Sequence, residues 1–139
     1  MKVELNRVDQ DFHFEARGNS TVAVNIDAAE NIGGHNAGAR PMELLLMGLG
    51  GCTSIDVILI LKKQKQVLED IKLVVEGDRE KIPGTEMSPF TKINVHFILK
   101  GQLDPKKVEK AIALSMEKYC SATAQLRTSA EITHSFEIL

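Results

Sequence analysis

Two cysteines, Cys52 and Cys120, are the residues of this sequence best suited to chemistry of their own. A thiolate is both nucleophile and reductant, and two thiols that meet can store two electrons as a disulfide. They stand 68 residues apart, the difference between 120 and 52, which fits neither a C-x-x-C redox motif nor a metal-ligand spacing. Two cysteines in 139 residues are too few for a disulfide framework. In a reducing cytosol such thiols are more often reactive or simply buried than structural.

The surroundings of each thiol leave both readings open. Cys52 lies in GLGGCTSIDV, and a free cysteine in an apolar stretch commonly packs as a small hydrophobe. Yet Gly48, Gly50 and Gly51 precede it, each costing a helix roughly 1 kcal/mol relative to Ala. That cost points to a close approach by another element or a ligand. Asp56 follows Cys52 by four positions, so in a helix a carboxylate shares the thiol's face. A negative neighbour disfavours the thiolate, so a reactive Cys52 needs a cation from elsewhere. Arg7, Arg17, Arg40, Arg79 and Arg127 are available, and spacing marks out none of them. Cys120 lies in EKYCSATAQL; a disulfide to Cys52 requires Cα atoms within about 7 Å, and two unrelated buried thiols remain the plain alternative.

The histidines add little. His134 falls on the apolar phase of a C-terminal strand and reads as a core histidine, while His13 and His96 take polar phases and His35 lies in a loop. No close Cys/His/Asp spacing suggests a metal centre. Neither a metal nor a cofactor is expected.

The strands and helices that carry Cys52 and Cys120 follow from hydrophobic period. Val3 and Leu5, then Phe12, Phe14 and Ala16, then Val22, Val24 and Ile26 alternate with polar residues, predicting three strands joined as two hairpins, with Gly18 and Asn19 at the second turn. Residues 29–40, AENIGGHNAGAR, lack periodicity and read as a loop; with neither a Gly-Lys-Ser/Thr ending nor GxGxxG spacing they are not a phosphate cradle. From Pro41 a long helix runs through PMELLLMGLGGCTSIDVILILKKQK, apolar on every side. The stretch Leu44 to Leu61, 18 residues counted inclusively, reaches transmembrane length, but Asp56 and its glycines favour a helix buried in protein. One chain of this size struggles to surround such a helix, so a second copy is expected against it. Two strands follow, through Ile71, Leu73 and Val75 and through Ile93, Val95, Phe97 and Leu99, joined by the loop EKIPGTEMSPF. Asp104-Pro105 starts a helix whose inward face is Val108, Ala111, Ile112, Ser115, Met116 and Tyr119, and Ala130 to Ile138 form a closing strand.

The fold class is therefore α+β: three strands, long helix, two strands, helix, one strand, with antiparallel sheets around a central buried helix in one domain over residues 1–139. Seventeen Lys and Arg against nineteen Asp and Glu give a net charge of −2, which argues against nucleic acid as partner. The first segment lacks the apolar core of a secretory leader. The chain is expected to start at Met1, to be cytoplasmic and to avoid membranes.

The string RPMELLLMGLGGCTSIDV, followed by EKYCS and ITHSFEIL, resembles the OsmC/Ohr family of thiol peroxidases, and looks most like its YhfA-like branch. The resemblance spans nearly the whole chain, and its specific part is the spacing from Pro-x-Glu-Leu to Gly-Gly-Cys. It implies an OsmC-like fold, an intertwined homodimer, and reduction of organic hydroperoxides in oxidative stress defence. Carried over by position, Cys52 is the peroxidatic residue and Cys120 the resolving one. A dithiol reductant, such as a lipoyl protein or thioredoxin, restores both. The family places an activating arginine on an early strand, where Arg17 is the nearest match, with Arg40 as an alternative near the helix start. The peroxidase branches open the helix with Asn-Pro-Glu; here Met42 follows Pro41 and Glu43 comes one position later, a rotation of about 100°. Ser121 likewise stands where a proline commonly follows the second cysteine. Glu43 and Arg17 are thus candidate catalytic residues beside Cys52 and Cys120. Two alternatives follow from Met42 and the apolar setting of Cys52: a non-catalytic protein that holds a small hydrophobic ligand at a dimer interface, and a thiol redox sensor.

Overall fold

The structure, a computed structural model, describes all residues from Met1 to Leu139. The chain divides into two compact units, Met1–Leu45 and Leu46–Leu139. The boundary falls inside a helix, so no linker composition marks it.

The first unit is a meander of β1 (Glu4–Arg7), β2 (Phe14–Arg17) and β3 (Val24–Ile26), antiparallel in that order. Both expected hairpins are present. The alternation buries less than expected: Val3, Leu5, Val8, Phe12, Val22 and Val24 are all exposed. The loop after β3 is organised by one carboxylate. Asp27, only 1% exposed, accepts Ala28 N–H on Oδ1 at 2.8 Å, and His35 N–H and Ala37 N–H on Oδ2 at 2.9 and 3.1 Å. These bonds, led by that from His35, hold its pKa below the ordinary carboxylate value. His35 Nε2 meets Asp11 Oδ2 at 2.6 Å, which raises the imidazole pKa.

The helix α1 spans Pro41–Lys63, with proline at its first position as read from the sequence. Length and composition alone would let it cross a bilayer, with a mean hydropathy of 2.1. One chain does not surround it, as its all-round apolar sequence suggests. Leu49, Gly50, Thr53, Val57 and Leu61 are buried, whereas Met47, Ile55, Ile58 and Leu59 are exposed. A single chain covers one stripe and leaves the other bare.

In the second unit α1 is followed by β4 (Val67–Arg79) and β5 (Phe90–Gln102), paired antiparallel, and by β6 (Glu131–Ile138). β6 pairs with β5 in parallel, Ile132 opposite Ile93 and Phe136 opposite Phe97. The expectation of antiparallel sheets therefore fails for this pair, because the segment after β5 is a helical crossover, which returns a strand in the same direction. One face of the sheet carries Leu73, Val75, Val95, Phe97, Leu99 and Phe136, while Glu76, Asn94, His96 and Thr133 point the other way. The helix α1 lies close to β4. A Cβ on Gly50 would come 3.1 Å from Val75, and one on Gly77 would come 2.6 Å from the Phe90 ring and 3.3 Å from Leu46. Gly48 and Gly51 have nothing within 4 Å, so within the chain only Gly50 answers to the close approach inferred from the glycines.

The crossover starts as expected. Asp104 caps α2 (Pro105–Leu114) by accepting Lys106 N–H at 2.9 Å, and Val108, Ala111, Ile112 and Ser115 are fully buried. The single helix of the sequence reading is in fact three pieces: α2, a π-helical turn at Ser115–Tyr119, and α3 at Ser121–Leu126. The wider turn changes the angular phase, which is why Tyr119, expected inward, is 53% exposed. His134 faces α2 half-buried, with Nε2 at 3.2 Å from Glu109 Oε1.

Candidate functional site

The break between the π turn and α3 sets the position of the second thiol. Cys120 N–H donates to Ser115 O at 2.7 Å, five residues back, and the Cys120 backbone then becomes extended, with φ −75° and ψ 106°. That makes Cys120 the N-cap of α3, its Sγ accepting Thr123 N–H at 3.3 Å. The side chain is 4% exposed. Burial pushes its thiol pKa up, and the neighbouring Cys52 thiol adds to the rise, while Thr123 works against it.

Cys52 sits within α1, half-buried. Thr53 Oγ1 donates to the carbonyls of Leu49 and Gly50, and Ser54 Oγ to that of Gly51. The hydroxyls flanking Cys52 therefore serve the helix rather than the thiol. One turn on, Asp56 shares the Cys52 face as its spacing required. Cys52 Sγ, Cys120 Sγ and an Asp56 carboxylate oxygen all lie within 4.8 Å of one another. The fold thus joins two thiols that are far apart in sequence, and Asp56 stands beside both.

Asp56 is itself held. The hydroxyl of fully buried Ser115 donates to Asp56 Oδ2 at 2.9 Å, linking α1 to the π turn. Thr123 Oγ1 is buried without a hydrogen-bond partner, although its residue flanks the Cys120 sulfur and favours the thiolate there. Neither Ser115 nor Thr123 is marked by its spacing as part of a thiol site. The available signal is a hydroxyl, Ser115, on the apolar stripe that runs from α2 into the π turn. Beside the cluster opens a groove of about 430 Å³, lined by Asp56, Leu59, Ile60, Lys63, Leu114 and Tyr119.

The other two candidates have partners of their own in the first unit. Arg17 pairs with Glu15 at 3.0 Å and donates Nε–H to Thr21 O at 3.2 Å. Glu43 Oε2 accepts Arg40 N–H at 3.3 Å, which satisfies a free donor at the start of α1. Arg40 Nη1 donates to Asn36 Oδ1 at 3.0 Å and Gly38 O at 3.3 Å. Nine residues of helix separate Glu43 from Cys52, about 13.5 Å, so the two do not touch along α1.

An α+β fold with a half-buried thiol on one helix and a buried thiol at the cap of another defines a two-cysteine thiol protein. The chain belongs to the OsmC-like protein family, whose model matches residues 34–135. It is 42% identical over 102 residues to Protein YhfA of Escherichia coli strain K12, a match covering 71% of this chain and 72% of that protein. A crystal structure of a hypothetical protein from Aquifex aeolicus superposes with a TM-score of 0.80 at 29% identity, covering 99% of this chain and 96% of that one. An organic hydroperoxide resistance protein, OsmC, from Legionella pneumophila shares the fold with a TM-score of 0.73 at 18% identity, over 98% and 95% of the two chains.

Proposed function

We propose that this protein is a cysteine-based peroxidase for organic hydroperoxides, with Cys52 peroxidatic and Cys120 resolving. The observation that carries this reading is the approach of the two sulfurs to within 4.8 Å, with the attacking thiol the more accessible of the two. The Cys52 thiolate attacks the terminal peroxide oxygen, and the O–O bond breaks. The alkoxide takes up a proton and leaves as an alcohol, and Cys52 becomes a sulfenic acid. Cys120 sulfur then attacks Cys52 sulfur; the S–O bond breaks, and the hydroxyl leaves as water with the Cys120 proton. A dithiol partner, a lipoyl protein or thioredoxin, reduces the disulfide by exchange and is itself oxidised. The apolar groove walls, Leu59, Ile60, Leu114 and Tyr119, suit the organic part of such a peroxide.

Family resemblance and the bare stripe of α1, Met47, Ile55, Ile58 and Leu59, support a homodimer built on that helix. We place the protein in the cytoplasm, where a reduced thiol pair persists, and read residues 1–139 as one OsmC-like domain because the family match crosses the boundary between the two units. Arg17 is the proposed source of positive charge for the Cys52 thiolate, carried over from the family pattern.

The test treats reduced protein with cumene hydroperoxide and counts thiols. Two thiols lost per peroxide, with no oxygen added to the mass, is the expected result; Cys120→Ser should instead accumulate sulfenic acid on Cys52. Peroxide turnover by Cys52→Ser equal to that of wild type sinks the proposal. The same groove favours one second reading, retention of an apolar ligand without catalysis. Thermal-shift screening against lipid-like compounds checks it, and no stabilisation by any of them counts against it.

A further inference from the structure

We propose that Cys52 Sγ, Cys120 Sγ and one carboxylate oxygen of Asp56 form a binding site for a single thiophilic divalent cation of the Zn²⁺ type. The donor set is two sulfurs and one oxygen, all within 4.8 Å of one another. Tetrahedral Zn²⁺ with Zn–S of about 2.3 Å and Zn–O of about 2.0–2.2 Å places its ligands about 3.5–3.8 Å apart. A side-chain adjustment of about 1 Å closes the set. Thiolate donors select zinc-like ions over magnesium or calcium, which prefer oxygen.

The ligands are already supported from behind, as metal ligands usually are. Ser115 Oγ–H holds the Asp56 carboxylate through Oδ2 at 2.9 Å, and a carboxylate keeps further lone pairs for a metal. Thr123 N–H reaches Cys120 Sγ at 3.3 Å. The buried, unpartnered hydroxyl Thr123 Oγ1 is a further donor next to that sulfur, and it gains a partner when the thiol loses its proton. A groove bordered by Asp56 and Tyr119 adjoins the donor set, and water from it is the proposed fourth ligand. Each ligating thiol releases its proton to solvent. A dication against two thiolates and a carboxylate leaves one net negative charge, and Lys63 on the groove wall offsets it.

This arrangement also accounts for Asp56. A cation set among two sulfurs and a carboxylate gives the acidic side chain a charge partner. Bound metal removes both sulfurs from peroxide, so the site acts as a reversible cap on the thiol pair. It shares residues with the peroxidase reading without depending on it.

The experiment titrates reduced, metal-free full-length protein with Zn²⁺ in competition with a chromophoric chelator, and with Co²⁺ followed by visible absorption. No peroxide is present, so loss of peroxidase activity and loss of metal binding are separate results. The expected outcome is one Zn²⁺ per chain and a Co²⁺ spectrum with sulfur-to-cobalt charge transfer and tetrahedral d–d bands. Asp56→Ala should weaken Zn²⁺ at least tenfold, and Ser115→Ala about 10- to 100-fold, as loss of an outer-shell partner does. Circular dichroism checks that each variant folds; if Asp56→Ala does not, Ser115→Ala and the Co²⁺ spectrum decide. No one-to-one binding, unchanged affinity in the folded variants, or an octahedral Co²⁺ spectrum overturns the proposal.

Discussion

Ser115 and Asp56, 59 positions apart in the chain, are joined by a 2.9 Å hydrogen bond from the serine hydroxyl to the carboxylate. Ser115 also supplies the carbonyl that receives Cys120 N–H. One residue therefore orients the acidic neighbour of Cys52 with its side chain and the second thiol with its backbone. Ser115→Ala removes only the first of these bonds. It is expected to destabilise the protein by about 1.5–3 kcal/mol, the range for a hydrogen bond to a charged group. Urea denaturation of the reduced protein measures it, and a change below a few tenths of a kcal/mol would contradict the linkage.

The two thiols should react in order. Cys52 is half-buried, whereas Cys120 is 4% exposed with its pKa raised by burial. Iodoacetamide on reduced native protein is expected to modify Cys52 first, with Cys120 following only at higher pH or on unfolding. Peptide mass spectrometry of timed quenches gives the order. Equal rates would mean that Cys120 is far more accessible than its packing implies.

Arg17 and Glu43 should separate in function. Glu43 accepts a backbone N–H at the start of α1, so Glu43→Ala is expected to cost up to about 1 kcal/mol, as loss of a helix-terminal partner does. It should leave the reactivity of Cys52 within twofold. Arg17→Ala, if that guanidinium stabilises the Cys52 thiolate, is expected to slow sulfenic acid formation at least tenfold. Stopped-flow reaction of both variants with a hydroperoxide distinguishes them, and a slow Glu43→Ala beside a normal Arg17→Ala would reverse the assignment.

Gly77 is a packing position. An added Cβ would lie 2.6 Å from the ring of Phe90, which is 6% exposed. Gly77→Ala must displace that ring, and overpacking of this kind typically costs about 1–3 kcal/mol. Gly51→Ala, with nothing within 4 Å, should be neutral or stabilising in a monomer. Paired thermal melts test the contrast, and equal effects would remove it.

Acid sensitivity of the first unit should trace to Asp27. Its folded pKa is lowered, with the N–H of His35 the leading cause. A depressed carboxylate contributes stability that is fully present above the unfolded value, about 3.9, and is lost as pH falls through the lower folded value. Asp27→Asn is expected to be less stable at neutral pH and to show a flatter acid limb. Melting temperature against pH provides the measurement; parallel acid limbs for the two proteins would exclude Asp27 as the source.

Much of this was legible in the residues. Alternation of Ile93, Val95, Phe97 and Leu99 specified β5, the Asp104-Pro105 pair specified the start of α2, and the four-residue spacing of Cys52 and Asp56 put them on one face. The Cys52–Cys120 approach was not legible, because it depends on how a crossover folds back against α1. The π turn escaped for a related reason: Ser115 to Tyr119 carry no proline or glycine, and one wide turn shifts phase without a compositional mark. The parallel direction of β6 followed from the crossover rather than from its own alternation, which is the same for either direction. Asp27 sat at the end of a strand with nothing to announce that three amides would converge on it.

The proximity of Cys52 and Cys120 also ties oxidation state to mechanical and thermal endurance. A bond between them would close a loop spanning most of the second unit, and chain-entropy arithmetic for a loop of this size gives about 4 kcal/mol. By linkage the relation runs both ways: whatever tightens the native packing also makes the bond harder to reduce, and a reductant that opens it returns a looser protein. Oxidised and reduced forms would then differ in lifetime against heat and proteolysis, so each round of oxidation and reduction would pass through a sturdier state and a softer one.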